Sequence, residues 1–583
     1  MPIAMPIATP VARPAKLLVC LLPFMFAACS GSPDEEAALT SGEGVLRYVP
    51  ADTPYVFAAT QPLPDDVREK LAPHVEAIVQ SYSSMMQTAV NEEPTDGSAS
   101  RMDEETRKRV STTIAQLAGM ITADGIPEAG IDRDSTGAFY GVGLLPVLRI
   151  TLSDGHLFEA TMTKLESEAG EKMSVATVDG HSYRYAGDDE GRLIVAAIDD
   201  QLVLGFVPAD LSEGLLKSVL GIDLPAKNIA DSGDLVALAK KYGFQSYGLG
   251  MIDVERVAAT FLDDQAGVNG ELLAMMDYDA SSLSDVCKTE IRAVASIAPR
   301  VVAGYTDVTA NHIKSNTTVE LRSDIASGFQ GLTAPVPGLG AEQGGLMSFG
   351  MSLNLLAARE FYSARLDAME ADPYECELFA ELQAGVAKGR EVLNQPIPPI
   401  VYGFSGFLAV IDDIKGMDIA KQQPPTDVDM RILLATDSAD GLLAMGAMFS
   451  PEIASLNLKP DSKPVKLAVP AVASMVEAAY VARSETALAL SVGAGSESGL
   501  EAMLGAAPRE PSPFFSIDMD AARYYGFLGD AMTLTDADKQ SPEVVKAQAE
   551  VMQTFEKMFS KISFDVLFTE RGIEMPSTLE FAK

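Results

Sequence analysis

The chain has no tryptophan, only four histidines and four cysteines in 583 residues, and 44 Lys and Arg against 82 Asp and Glu. None of His74, His156, His181 and His312 stands in an HExxH pattern or beside a Cys or another His, so the usual zinc sites have no ligand set. The shortage of bases leaves a net charge of -38, which repels phosphate backbones and anionic lipid headgroups; nucleic-acid binding is excluded. The acids read as a solubilising surface. No P-loop or dinucleotide fingerprint is present, and Gly403-Phe-Ser405-Gly406 lacks the spacing of a nucleophile elbow. Asp132-Arg-Asp134-Ser-Thr136-Gly137 opens like a calcium loop, but Gly143 stands at the required twelfth-position Glu, so the segment reads as a capped turn. Asp199-Asp200 and Asp412-Asp413 read as solvated acids at hairpin tips. No catalytic, cofactor or metal site is assigned, and the chain is expected not to be an enzyme.

What is present begins with an address. Arg13 and Lys16 precede the apolar run Leu17 to Phe26, which ends in Phe26-Ala27-Ala28-Cys29. A basic start, a short apolar core and small residues before a cut make a secretory signal; a membrane span needs about 20 apolar residues. With Cys directly after the small residues, residues 1–28 resemble a bacterial lipoprotein signal peptide. The resemblance implies a lipid on Cys29: a thioether-linked diacylglycerol, with acylation of the new N-terminus. Ser30, where Asp would imply inner-membrane retention, implies the outer membrane, with the body on its periplasmic face. Residues 29–45, which open Cys29-Ser-Gly-Ser-Pro-Asp-Glu-Glu36, form a flexible tether, too polar to order themselves.

Export leaves Cys287 and Cys376 as the remaining thiols. An even remainder in an oxidising compartment suggests one disulfide, and two buried unpaired thiols are the alternative. Each lies in a predicted helix, on opposite sides of a Pro/Gly stretch, so a bridge would staple the two sides together.

That stretch, 333–345, has no periodicity and reads as a linker between two halves, 46–332 and 346–583. Ser352-Leu-Asn-Leu-Leu-Ala-Ala-Arg359 aligns with Ser516-Ile-Asp-Met-Asp-Ala-Ala-Arg523, more loosely with Gly250-Met-Ile-Asp-Val-Glu-Arg-Val257, and with a divergent fourth segment, Pro54 to Asp66. Each reads as a strand running into a helix, with Asp253, Asn354, Asp518 and either Thr60 or Asp65 as N-caps. A helix, paired strands and a closing helix recur at 158–221 and 442–505, with hairpins at Asp179-Gly180, Asp199-Asp200 and Glu570-Arg571-Gly572. The expected fold class is α+β: two similar halves of antiparallel sheets with helices packed on one face, related by a pseudo-twofold internal repeat. Helices carrying Val67 to Tyr82 and Val110 to Ile121, joined by a loop at Asn91 to Met102, read as an insertion unique to the first copy.

The whole resembles the large envelope lipoproteins that carry a duplicated domain of unknown function, on the strength of the signal, the Tyr48-Val-Pro-Ala-Asp-Thr-Pro54 start and the hairpin-helix units. The resemblance carries no catalytic residues. The expected function is non-enzymatic: a protein tethered to the outer membrane that binds or scaffolds another envelope component. The alternative is a carrier or sensor of an apolar ligand in a groove between sheet and helices, suggested by the 26 methionines, Met351, Met503 and Met519 among them.

Overall fold

A computed structural model describes residues 35–40, 44–91, 104–189, 191–262, 267–416, 427–449, 458–467, 478–493, 495–535 and 542–583, with 425, 453 and 455–456. Residues 1–34, with Cys29 and the expected signal peptide among them, and most of the loop after Asn91 lie outside the described residues. The chain divides into two compact units, one of Met1–Gly250, Val308–Ala310 and Ala537–Thr554, the other of Met251–Asp307, Asn311–Asp536 and Phe555–Lys583. Both are α+β, with antiparallel strand pairing throughout the registers described.

In the first unit, β1 (Tyr55–Ala59), β2 (Gly137–Val142), β3 (Leu145–Thr151), β4 (Ser174–Val178), β5 (His181–Gly187), β6 (Arg192–Ile198) and β7 (Gln201–Val207) pair in the spatial order β1-β2-β3-β7-β6-β5-β4. Two-residue turns close β4–β5 and β6–β7, as the sequence predicts. Asp179 and Asp199 take positive φ, 49° and 53°, the conformation that lets such turns match strand twist. The helix Gly155–Ala169 is capped by Asp154 and lays Phe158 against Leu152, Val195 and Leu202. Arg149, wholly buried, donates from Nε to the Tyr140 hydroxyl at 2.8 Å and from Nη2 to the Val219 carbonyl at 3.2 Å, and lies 3.9 Å over the Tyr48 ring. The carbonyl end of the helix Glu213–Leu220 and an aromatic face thus stand in for a carboxylate.

After β8 (Leu249–Asp253), the second unit contains β9 (Arg300–Val308), β10 (His312–Glu320), β11 (Met347–Ser352), β12 (Phe404–Lys415), β13 (Asp427–Thr436), β14 (Val465–Lys466), β15 (Ala479–Arg483), β16 (Ala487–Val492), β17 (Phe515–Asp520), β18 (Phe559–Thr569) and β19 (Gly572–Phe581). From β10 the order runs β10-β19-β18-β17-β11-β12-β13-β16-β15-β14.

Several expectations need correction. The segment 333–345 lies inside the second unit, where Val336 and Leu339 are almost wholly buried with Leu408, Val410 and Leu433. Its glycines and prolines set turns while its apolar side chains fill a core, so composition misread it as a linker. The helix pair expected only after the Pro54–Asp66 segment is not confined there: Leu355–Ala371 and Ala380–Leu393 follow β11, and Ala521–Thr535 and Pro542–Met558 follow β17. Asp253 and Asn354 do accept from helix N-H groups, of Arg256 and Ala357. In the segment Ser516–Arg523 the cap is Asp520, which accepts from Arg523, because β17 runs two residues further than expected and keeps Asp518 in the strand. Neither Thr60 nor Asp65 caps the first helix: Asp65 is its first residue and pairs with Arg68, and the Thr60 hydroxyl is buried without a partner. Asp412 and Asp413 sit within β12, not at a tip.

Candidate functional site

Alternation on three adjacent strands of the second unit creates a polar site. Ser516 and Asp518 of β17 face Asp565 and Ser563 of β18, and Ser563 faces Thr578 of β19, so these polar residues share one face. The intervening Phe515, Ile517, Ile562, Phe564 and Val566 belong to the other, where Val566 and Phe568 pack with Phe329 and Phe361. One face is buried under aromatics and the other is left polar. Over the polar face the stretch Gly340-Ala341-Glu342 forms a wall, and together they line an open cavity of about 270 Å³.

Arg509 ties wall to floor: its Nη1 lies 2.5 Å from Asp565 Oδ2 and donates to the Gly340 carbonyl at 3.2 Å. The wall needs glycine there, since Gly340 has φ of 75° and a Cβ would sit 2.8 Å from Pro513. Further along, Arg431 grips Asp412 with both Nε and Nη2, at 2.8 and 2.7 Å, and reaches the Gln343 carbonyl.

Charges also meet at Lys561, whose ammonium lies 3.2 Å from the half-buried Asp518 and 3.3 Å from the exposed Glu342. Burial pushes the Asp518 carboxyl above its ordinary value, and Lys561 only partly opposes this. Burial works against the Lys561 charge as well, but Asp518 and Glu342 outweigh it and raise its pKa. The lining counts three carboxylates, Asp518, Asp565 and Glu342, against two cations, so the cavity is short of one positive charge. It holds no histidine or cysteine, and Ser516, Ser563 and Thr578 offer hydroxyls for hydrogen bonding. The lining is polar, unlike the apolar groove suggested by the methionines.

The remaining sequence assignments fall elsewhere. Cys287 and Cys376 stand at disulfide distance with Cα atoms 4.7 Å apart. Both belong to the second unit, so the pair braces that unit internally. Cys287 lies in the helix Asp285–Ala295, whereas Cys376 precedes the short turn Glu377–Phe379 and is 2% exposed. Glu290, one helical turn past Cys287, accepts from the N-H groups of Glu375 and Cys376 at 2.8 and 3.0 Å, which fixes the approach of the second cysteine. Asp132 accepts from the Asp134 N-H in a tight turn. His312 pairs with Asp307 at 2.7 Å. Among the described residues no group of His, Cys, Asp and Glu is arranged to hold a metal, and no helix is long and apolar enough to cross a membrane.

No family model, no curated protein and no solved structure matches this chain.

Proposed function

We propose that the protein is a lipoprotein anchored at Cys29 to the periplasmic face of the outer membrane, and that it holds another envelope component without transforming it. The observation that carries the binding role is the cavity over β17, β18 and β19. Three carboxylates around two cations favour a partner that inserts an ammonium or guanidinium group. The hydroxyls of Ser516, Ser563 and Thr578 would orient it. The anchor rests on Arg13, Lys16, the apolar run and Cys29, with two or more acyl chains giving durable attachment.

The same reading treats the halves as two copies of one module. In support, β1-β2-β3-β7-β6-β5 and β11-β12-β13-β16-β15-β14 follow the same spatial order with the same connections, a helix pair after the first strand and a hairpin after the second.

Affinity purification from solubilised envelopes, with proteomic and lipid analysis, tests the binding role. The unsubstituted chain should retain a component that Glu342→Gln and Asp518→Asn chains lose; identical eluates from all three would end it. Intact-mass analysis of the mature N-terminus tests the anchor separately. It should find lipid on Cys29, and Cys29→Ser should move the protein to the soluble fraction.

A further inference from the structure

The strand β4, Ser174-Val-Ala-Thr-Val178, pairs with β5 on one side only among the described residues, and its other edge faces solvent. Val175 is 63% exposed, and Ser174 and Thr177 are exposed as well. Proteins usually block such an edge with an internal Lys, a proline or a bulge. This strand contains none of them, and its register with β5 is unbroken from Ser174↔Tyr185 to Val178↔His181.

The turn fixes which groups are unpaired. In a two-residue hairpin, the residues flanking the turn exchange both main-chain hydrogen bonds, so Val178, and by alternation Ala176 and Ser174, bond toward β5. The N-H and C=O groups of Val175 and Thr177 therefore point to the open edge.

We infer that this edge pairs with the same edge of a second copy of the chain, antiparallel about Ala176. The register is self-consistent, because a twofold axis at Ala176 sets Val175 against Thr177 of the second copy, and these are the residues with outward-pointing groups. Four main-chain hydrogen bonds result, and the continuous sheet buries both copies of Val175. One residue of slip would set inward-bonded groups against outward-pointing ones and lose the ladder.

The test uses the full chain carrying Ala176→Cys. At the centre of the pair the two residues face each other at a position without mutual hydrogen bonds, where Cβ atoms approach most closely and a disulfide can form. Under oxidised glutathione, Ala176→Cys should give a covalent dimer about tenfold faster than a Ser182→Cys control on β5. Adding Thr177→Pro should abolish that advantage, since the lost N-H belongs to the open edge and the β5 ladder stays intact. Val175→Lys should do the same by placing a charge in the seam. Equal rates for the two cysteine chains, or a rate indifferent to both second substitutions, would overturn the inference. So would sedimentation of the unsubstituted chain as a monomer at the concentrations where crosslinking is measured.

Discussion

Arg149 has no carboxylate, and its surroundings state what replaces one: the Tyr140 hydroxyl, the Val219 carbonyl and the Tyr48 ring. Arg149→Met should destabilise the first unit by roughly 2–4 kcal/mol, because it leaves a buried hydroxyl and a buried carbonyl unpaired. Gly221→Ala should act through the same group, since its Cβ would fall 2.2 Å from Arg149 Nη2 at a φ of 73°. Thermal or denaturant unfolding of each variant checks both. Asp324 gives a sign for pH. Hydrogen bonding from Arg322 lowers its carboxyl from 3.8 to about 2, so the stability it supplies is present above the ordinary value and is lost as pH falls through about 2. Asp324→Asn should flatten the acid limb of the unfolding curve between those values. Asp518 behaves oppositely, because burial raises its pKa. If the cavity takes a cationic group, capture should hold at neutral pH and weaken on acidification before ordinary surface carboxylates titrate. A pH series of the affinity purification reads this directly.

The pair Cys287–Cys376 closes a separation of 89 residues within the second unit, for which the chain-entropy account gives about 4 kcal/mol, less any strain. Replacing both with Ala should lower the unit's stability by an amount of that order. It should also speed hydrogen exchange at Glu375 and Cys376, whose N-H groups depend on Glu290. Short-range signals in the sequence proved readable. Two-residue turns, the caps at Asp253 and Asn354 and the hairpin-helix order depend on neighbours in the chain, and the structure contains them. The cap at Asp518 was misplaced because a strand end is set by its ladder, and Asp518 is held in one by pairing with Ser563. Asp520→Ala should therefore cost about 1 kcal/mol of helix stability, and Asp518→Ala should not act through the cap. The cavity was not legible: Glu342, Arg509, Asp518 and Lys561 are scattered over more than 200 residues, and only the β17–β18 register and the wall that Arg509 ties to it bring them together. The one hint was polar alternation in Ser516-Ile-Asp518 and Lys561-Ile-Ser-Phe-Asp565, which marks an open sheet face without naming what covers it.

At the scale of the molecule, a strongly acidic chain is repelled by phosphate-rich surfaces, so a membrane anchor would have to supply what its charge denies. The 29–45 tether expected from composition is shortened by the helix Glu35–Thr40, whose Leu39 is buried, and by the buried Val45; a lipid on Cys29 would hold the body close to the membrane, and confinement to a surface would raise the effective concentration of each contact in the periplasm. Such a body needs no catalytic constellation. It needs a rigid recognition surface, which the packed core under 333–345 and the Arg431–Asp412 grip give the cavity wall. The most direct test of this account is a photocrosslinking residue placed at Ala341, on that wall, in cells producing the full chain. The account predicts one dominant crosslinked envelope component, recovered with the outer-membrane fraction and lost when Asp518→Asn and Glu342→Gln are added. Crosslinking to no envelope component, or a crosslink undiminished by those substitutions, would contradict it.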